Sequence, residues 1–350
     1  QSLIEACGTE KAYSILNGTI YPTQRAWLFG FYYFLPQAEI SIKRLNQLLE
    51  LYKTSESRAL PFDWDFLLNY RTIEPEIISK ITELLLIRAE DDANYAHVFF
   101  NLFNPLTKVN EEITDHFRGK TELLKRAYFV ELGSTAHADH DGKTLNRILD
   151  LDTNFIVEYI DWMYGRSKWV SEHDDSRDYS FIWERDDYYE IMVRGAERIF
   201  ECEKEGSDYS YFKVFFGLQR NGQESRNVGA RQVNLLMGLI EVKNGDVDFM
   251  KFVFSLISNL PVKDRVQFFL KFVELNNSFD DFKQMPLEPD VYTWSGSAVL
   301  MLQGRVEYLK ILIPLFDTVS LLKHKQYIEH IIKNIRKKIE QEKKDDFMEH

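Results

Sequence analysis

FDDFKQMPLEPDVYTWSGSAVLMLQGRVEYLKILIPLF, residues Phe279 to Phe316, sets two helical patterns on either side of a proline-bearing linker. Upstream, Val266, Phe269, Leu270 and Val273 fall at i, i+3, i+4 and i+7, one face of a helix. Downstream, Val299, Leu302, Val306, Leu309 and Ile313 keep a spacing of three or four, the stripe of a second helix that must pack on something. Between them Pro286 and Pro289 interrupt helix, and Trp294-Ser295-Gly296-Ser297 predicts a small-residue turn with Ser297 as N-cap. Helix, structured corner, helix is the grammar of an all-α chain.

The same grammar extends outward. The apolar run Trp27 to Leu35, WLFGFYYFL, has the composition of a buried strand, but it leads past Pro36 into Ile40, Leu45, Leu48, Leu49 and Tyr52 at helical spacing, and no partner strand follows. It is read as helix. Ile77, Ile78, Ile81, Leu84 and Leu85 form another stripe, and Asn94 to Phe103 a short apolar helix stopped at Asn104-Pro105. Leu145, Ile148 and Leu149 lead, past Asp152, to Phe155, Ile156, Tyr159, Ile160 and Met163. From Gly165 to Asp187 periodicity fails and acids are threaded between Trp169, Tyr179, Phe181 and Trp183. This divides the chain into an array over 1–165, an acidic aromatic connection over 166–187 and a second array over 188–350. Asp246 is placed to cap the helix carrying Phe249, Phe252, Val253, Leu256 and Ile257. The last helix repeats Ile328, Ile331, Ile332, Ile335 and Ile339, with a tail expected to fray over Glu340 to Asp346.

A faint internal echo gives these helices an order. ILDLDTNFI at Ile148 to Ile156 is matched by FVELNNSFD at Phe272 to Asp280, pairing Leu151 with Leu275 and Phe155 with Phe279. Each reads as a helix end, a polar corner, then an aromatic opening the next helix. Antiparallel helix pairs joined by such corners predict an irregular tetratricopeptide-like or HEAT-like solenoid; the competing arrangement is an irregular helical bundle.

Composition narrows the function classes. The 350 residues are 45% hydrophobic, enough for a sizeable core, and 43 Lys+Arg against 55 Asp+Glu leave a net charge of −12. That balance repels a polyanionic backbone, so no nucleic-acid partner is expected. Cys7 and Cys202 fit no metal-ligand spacing and read as reduced thiols. No segment approaches the roughly 18 uninterrupted apolar residues of a membrane helix. With Gln1 first and no leader pattern, the expectation is a cytoplasmic piece of a longer protein.

Several constellations resemble chemistry. Gly119-Lys120-Thr121 and Gly142-Lys143-Thr144 each offer the end of a phosphate-binding loop, but the required earlier glycine is Thr114 in one and His137 in the other. Helix-start lysines are the plainer reading, and no cofactor is expected. His137-Ala138-Asp139-His140-Asp141 copies half of a metallohydrolase HxHxDH loop, with Thr135 where the first histidine belongs. A solvated interhelical turn is preferred to a metal site, as it is for His173-Asp174-Asp175. Aromatic residues make up 14% of the chain, many beside acids. Among them Trp169, Tyr179, Trp183 and Tyr188 are candidate protein-binding anchors, because such side chains supply contact area at low entropic cost. Filling gaps between helices is the alternative for the same residues.

The blocks DGKTLNRILDLDTNFIVEYI (Asp141 to Ile160), YSFIWERDDYYEIM (Tyr179 to Met192) and LNNSFDDFKQMPLEPDVYTWSGSAV (Leu275 to Val299), with the closing VEYLKILIPLF and HKQYIEHIIKNIRKKIEQEKKDDF, resemble the C-terminal helical region of bacterial antiviral STAND-type NTPases. The resemblance runs through most of the chain, and it marks a scaffold, with no contact residue to carry over. It implies a tetratricopeptide-like sensor that binds a phage protein such as portal or the large terminase subunit and triggers oligomerisation. Nucleotide binding and effector chemistry would then lie outside these residues, so the chain itself is not expected to be an enzyme. Two other readings stay open: a helical-repeat scaffold for host proteins, and a metal-dependent hydrolase built on His137, Asp139 and His140.

Overall fold

The computed structural model of the chain describes residues 1–18, 22–54, 74–91, 99–104, 107–134, 139, 141–165, 179–203, 215–216, 229–257, 260, 262–287 and 298–348. Among these residues every regular element is an α-helix or a 3-10 turn, and none is a strand, so the all-α reading holds. No described helix is long and apolar enough to cross a membrane. Pro289, the Trp294–Ser297 turn and most of the Asn94–Phe103 segment lie outside the described residues. The chain divides into two compact units, Gln1–Phe181 and Ile182–His350.

In the first unit the longer helices are α1 (Thr9–Asn17), α2 (Pro22–Tyr33), α3 (Ile42–Thr54), α4 (Pro75–Asp91), α5 (Thr121–Ser134), α6 (Lys143–Leu151) and α7 (Phe155–Gly165). Packing follows chain order: α1 lies on α2, α3 on α4, α4 on α5, α5 on α6 and α6 on α7. The run at Trp27 is indeed helical. It is two-faced, with Leu28, Phe29, Phe31 and Tyr32 buried while Trp27 and Tyr33 are exposed. The apolar stripes of α6 and α7 bury the residues whose spacing predicted them: Leu145, Ile148 and Leu149, then Phe155, Ile156, Tyr159, Ile160 and Met163. Removal of these side chains from water supplies the main stabilising term, about 1.5–3 kcal/mol for each large one.

The second unit contains α8 (Tyr188–Glu203), α9 (Ala230–Lys243), α10 (Val247–Ile257), α11 (Val262–Leu275), α12 (Val299–Leu312) and the long α13 (Leu322–Met348). Here α9 contacts α8, α10 and α11, and α12 packs along α13. Asp246 caps α10 as expected, its Oδ1 accepting from the Phe249 N–H at 3.0 Å.

Two expectations are corrected. The buried face of α11 runs through Phe268, Phe269, Phe272 and Val273, while Leu270 is 41% exposed. In a helix this apolar, four residues satisfy more than one stripe, and packing partners choose between them. The tail beyond Glu340 does not fray: α13 continues to Met348. Its acids and lysines recur three and four residues apart, Glu340 and Lys344 among them, a spacing that supports helix without a core.

Candidate functional site

Three carboxylates and a lysine converge at the corner between α6 and α7. Leu151 ends one helix and Phe155 opens the next, so Asp152 to Asn154 must turn the chain within three residues. Asp152 does this with its own groups. Its N–H donates to the Ile148 carbonyl at 2.9 Å, and its Oδ1 accepts from the Asn154 N–H at 2.9 Å. Its Oδ2 is left facing α5, where Lys125 Nζ donates to it at 2.7 Å. The same ammonium donates to Glu122 Oε1 at 2.8 Å and Glu158 Oε1 at 2.6 Å, and stands 5.5 Å from the Phe155 ring centroid.

The Lys125 side chain is only 3% exposed. Burial alone would depress its pKa, but the hydrogen bonds it donates to Asp152, Glu122 and Glu158 outweigh that and hold it above the usual lysine range. Glu122, Asp152 and Glu158 each bring a carboxylate oxygen within 4.8 Å of the others, a donor set suited to a hard cation. In this structure the lysine ammonium supplies that positive charge, which makes the cluster a clamp joining α5 to the α6–α7 corner. It was not anticipated from the sequence, although a lysine beside Leu124, Ala127 and Tyr128 on an apolar helix face was a sign.

The echo of this corner in the second unit has the same construction. The Asn276 N–H donates to the Phe272 carbonyl at 2.7 Å and Asn276 Oδ1 accepts from the Ser278 N–H at 3.0 Å. The remaining terminal atom of Asn276, Nδ2, reaches back to the Asn244 carbonyl at 2.8 Å, much as Asp152 reaches back to Lys125. Phe279 then opens a short helix capped by Ser278. The charge has been replaced by an amide, and the turn is retained.

The motif-like loops are absorbed locally. Asp139, at φ 54°, accepts from the Thr144 N–H and the Leu145 N–H at 2.9 Å each, and from Tyr128 Oη at 2.7 Å. Its carboxylate is thus spent on the first turn of α6, whose orphan N–H groups would be the cradle of a phosphate loop. Lys143 pairs with Asp141 at 2.6 Å, and the buried Thr144 hydroxyl is 3.4 Å from Asn110 Nδ2. Gly142 has φ 64°, and a Cβ there would lie 2.1 Å from Phe181 Cε1, so this glycine answers to a turn and a neighbouring ring. Lys120 donates to Ser79 Oγ at 2.6 Å. His137, His140 and the His173-Asp174-Asp175 segment lie outside the described residues.

Of the four aromatic candidates, Trp169 also lies outside them. Tyr179 is 4% exposed in the first unit, its Oη 3.0 Å from Tyr159 Oη. Trp183, in the second unit, is 8% exposed; its Nε1 donates to the Phe215 carbonyl at 2.8 Å and its ring meets that of Phe216 edge-on at 5.4 Å. Both rings are buried, and each has a hydrogen-bond partner for its polar atom within its own unit. Tyr188 differs. It is half-buried, covered on one face by Arg231 with Cζ 4.8 Å from the ring centroid, and its Oη accepts from Asn234 Nδ2 at 2.9 Å. Arg231 also donates to the carbonyls of Trp183 and Arg185 at 2.6 Å each, while Arg185 grips Asp187 through two hydrogen bonds at 2.7 and 2.9 Å. That grip holds the Asp187 carboxyl below its ordinary pKa. The described end of the acidic segment is therefore an ordered arginine-braced turn.

No protein family, curated protein or solved structure matches the chain.

Proposed function

We propose that the chain is the target-recognition module of a bacterial antiviral STAND NTPase: a solenoid-like stack of antiparallel helix pairs that binds a phage protein, such as portal or the large terminase subunit, and so triggers oligomerisation of the parent protein. The observation that carries this reading is the polar corner built twice, once on Asp152 and once on Asn276, with the same backbone hydrogen bond, the same side-chain turn and the same reach to an earlier element. Helices that contact mainly their neighbours in sequence are also what a solenoid requires, and such an array offers a broad face to a folded partner. The acidic balance favours protein over nucleic acid.

The hydrolase alternative loses ground on one point, since both oxygens of Asp139 accept hydrogen bonds from the chain itself. A plain helical-repeat scaffold for host proteins shares all the architectural support. The experiment that separates them is a pull-down of phage structural and packaging proteins by this chain and by its full-length parent. Retention of portal or terminase by both is the expected result. Retention by the parent alone shows that recognition lies elsewhere, and retention by neither removes the sensor reading.

A further inference from the structure

His324 stands near the start of α13 and is 2% exposed. Its ring is enclosed by three phenylalanines: Phe282 at 4.8 Å between centroids, Phe279 at 5.5 Å, both edge-on, and Phe316 stacked at 6.0 Å with an interplanar angle of 7°. Among the described residues neither Nδ1 nor Nε2 has a hydrogen-bond partner. A neutral imidazole tolerates this seat as a flat, largely apolar ring. An imidazolium does not, since it brings a charge and two N–H donors into a site that offers them no acceptor.

The surrounding charges are already committed. From the Phe279–Phe282 helix, Asp280 pairs with Lys283 at 2.9 Å and Asp281 Oδ2 accepts from Asn276 at 3.0 Å. After the Ile313–Phe316 turn, Asp317 pairs with Lys325 at 2.7 Å. The Val319–Leu321 turn carries no titratable group, and α12 contributes Arg305, Tyr308 and the Glu307–Lys310 pair. On α13 itself the neighbours are Lys323, Lys325 and Tyr327, whose ring meets Phe279 at 5.9 Å. Lys283 stands 5.1 Å from the Phe279 centroid. Three lysines stand near the seat, and Glu329, farther along α13, acts on Lys325; among the described residues no carboxylate lies within hydrogen-bond distance of either His324 nitrogen, so an added proton has no counter-ion in contact with it.

We propose that the phenylalanine seat around His324 is an acid-operated latch: with the imidazole neutral, the start of α13 is docked on the Phe279–Phe282 helix and the Ile313–Phe316 turn, and protonation of the ring undocks it. Cation–π attraction from the phenyl rings would return less to an imidazolium than the burial of an unpaired charge costs. Desolvation therefore prevails, and it depresses the His324 pKa below the ordinary histidine value. Because the folded pKa lies below the unfolded one, the latch contributes its full stability above about pH 6.5 and loses it as pH falls through the folded value.

The test compares the whole chain with His324→Phe and His324→Leu at pH 8 to pH 5. The wild-type unfolding constant should rise more steeply on acidification than that of either variant, by up to about tenfold per pH unit below about pH 6.5, levelling off once the folded-state ring is itself protonated. Hydrogen exchange at pH 5 should show amides at the start of α13 losing protection before those of α9 and α10. Parallel pH slopes, or protection lost uniformly across the second unit, overturn the latch. If neither variant folds, the wild-type protein decides alone: a His324 Cε1–H resonance that titrates at or above about pH 6.5 overturns it, and one that titrates clearly lower supports it.

Discussion

Replacing Lys125 with Met tests whether the clamp at the α6–α7 corner is an interaction or a coincidence of placement. Methionine keeps most of the aliphatic stem, so packing against Phe155 changes little and the loss is chiefly of charge and three hydrogen bonds. Removing one partner from a fully buried ion pair costs about 3–5 kcal/mol. Here that figure must be discounted, because Glu122 and Glu158 are 77% and 44% exposed and can turn to water, whereas Asp152, at 29%, is held by its own turn. A net cost of about 2–3 kcal/mol follows, or a fall of roughly 4–12 °C in Tm for a domain of this size. Adding Asp152→Asn removes one of the crowded carboxylates and should return about 1 kcal/mol on the Lys125→Met background, while on the wild-type background the same change destabilises. Urea titrations of the four proteins close the double-mutant cycle. The pH dependence has a definite sign. A lysine whose folded pKa is raised contributes stability that is complete below the unfolded value and is lost only as pH rises through the folded one, so the deficit of Lys125→Met should be level from pH 6 to pH 9. A cost under about 0.5 kcal/mol with no coupling between the two sites would refute the argument.

Gly142→Ala should cost about 2–4 kcal/mol, combining left-handed backbone strain with displacement of the Phe181 ring, whereas Gly119→Ala, at φ 74° in open space, should cost only about 1–2 kcal/mol; equal losses in denaturant melts would contradict the steric account. Burial pushes the Glu131 carboxyl up to about 7. Its protonated form is favoured in the fold, so stability is complete below about pH 4.5 and declines as pH rises through 7, and Glu131→Gln should gain on the wild type by about 3 kcal/mol between pH 4.5 and pH 8. A gap between the two that stays constant across that range would dismiss this effect. Trp183→Ala should lower Tm in line with a loss of about 3–5 kcal/mol, as a core aromatic does. Under the proposed sensor function, Tyr188→Ala should weaken retention of a phage protein while leaving Tm nearly unchanged, and a large fall in Tm with retention intact, seen in melts run beside the pull-down, would assign Tyr188 to the core.

What the sequence determined by itself was helix and its corners. The stripes of α6 and α7 were legible because a residue whose apolar neighbours recur every three or four positions has one cheap way to bury them, and Asp152 and Asn276 were legible as corners because a short polar side chain between two stripes bonds its own backbone. The echo between those corners was visible for the same local reason. Tertiary structure decided everything that depended on what stood opposite. α11 could bury several faces, and its packing selected Phe268 and Phe272 over Leu270. Lys125 acquires its long-range ion pairs only because α7 and the corner bring Asp152 and Glu158 to it across 27 and 33 positions. Tyr179 and Trp183, beside acids in sequence, became core because Tyr159 and the Phe215 carbonyl were placed to take their polar atoms. His324 was one histidine among eight until three phenylalanines closed around it. Periodicity reports the cost of exposing a face along one helix, and partnership reports distances between helices, which only the folded chain sets.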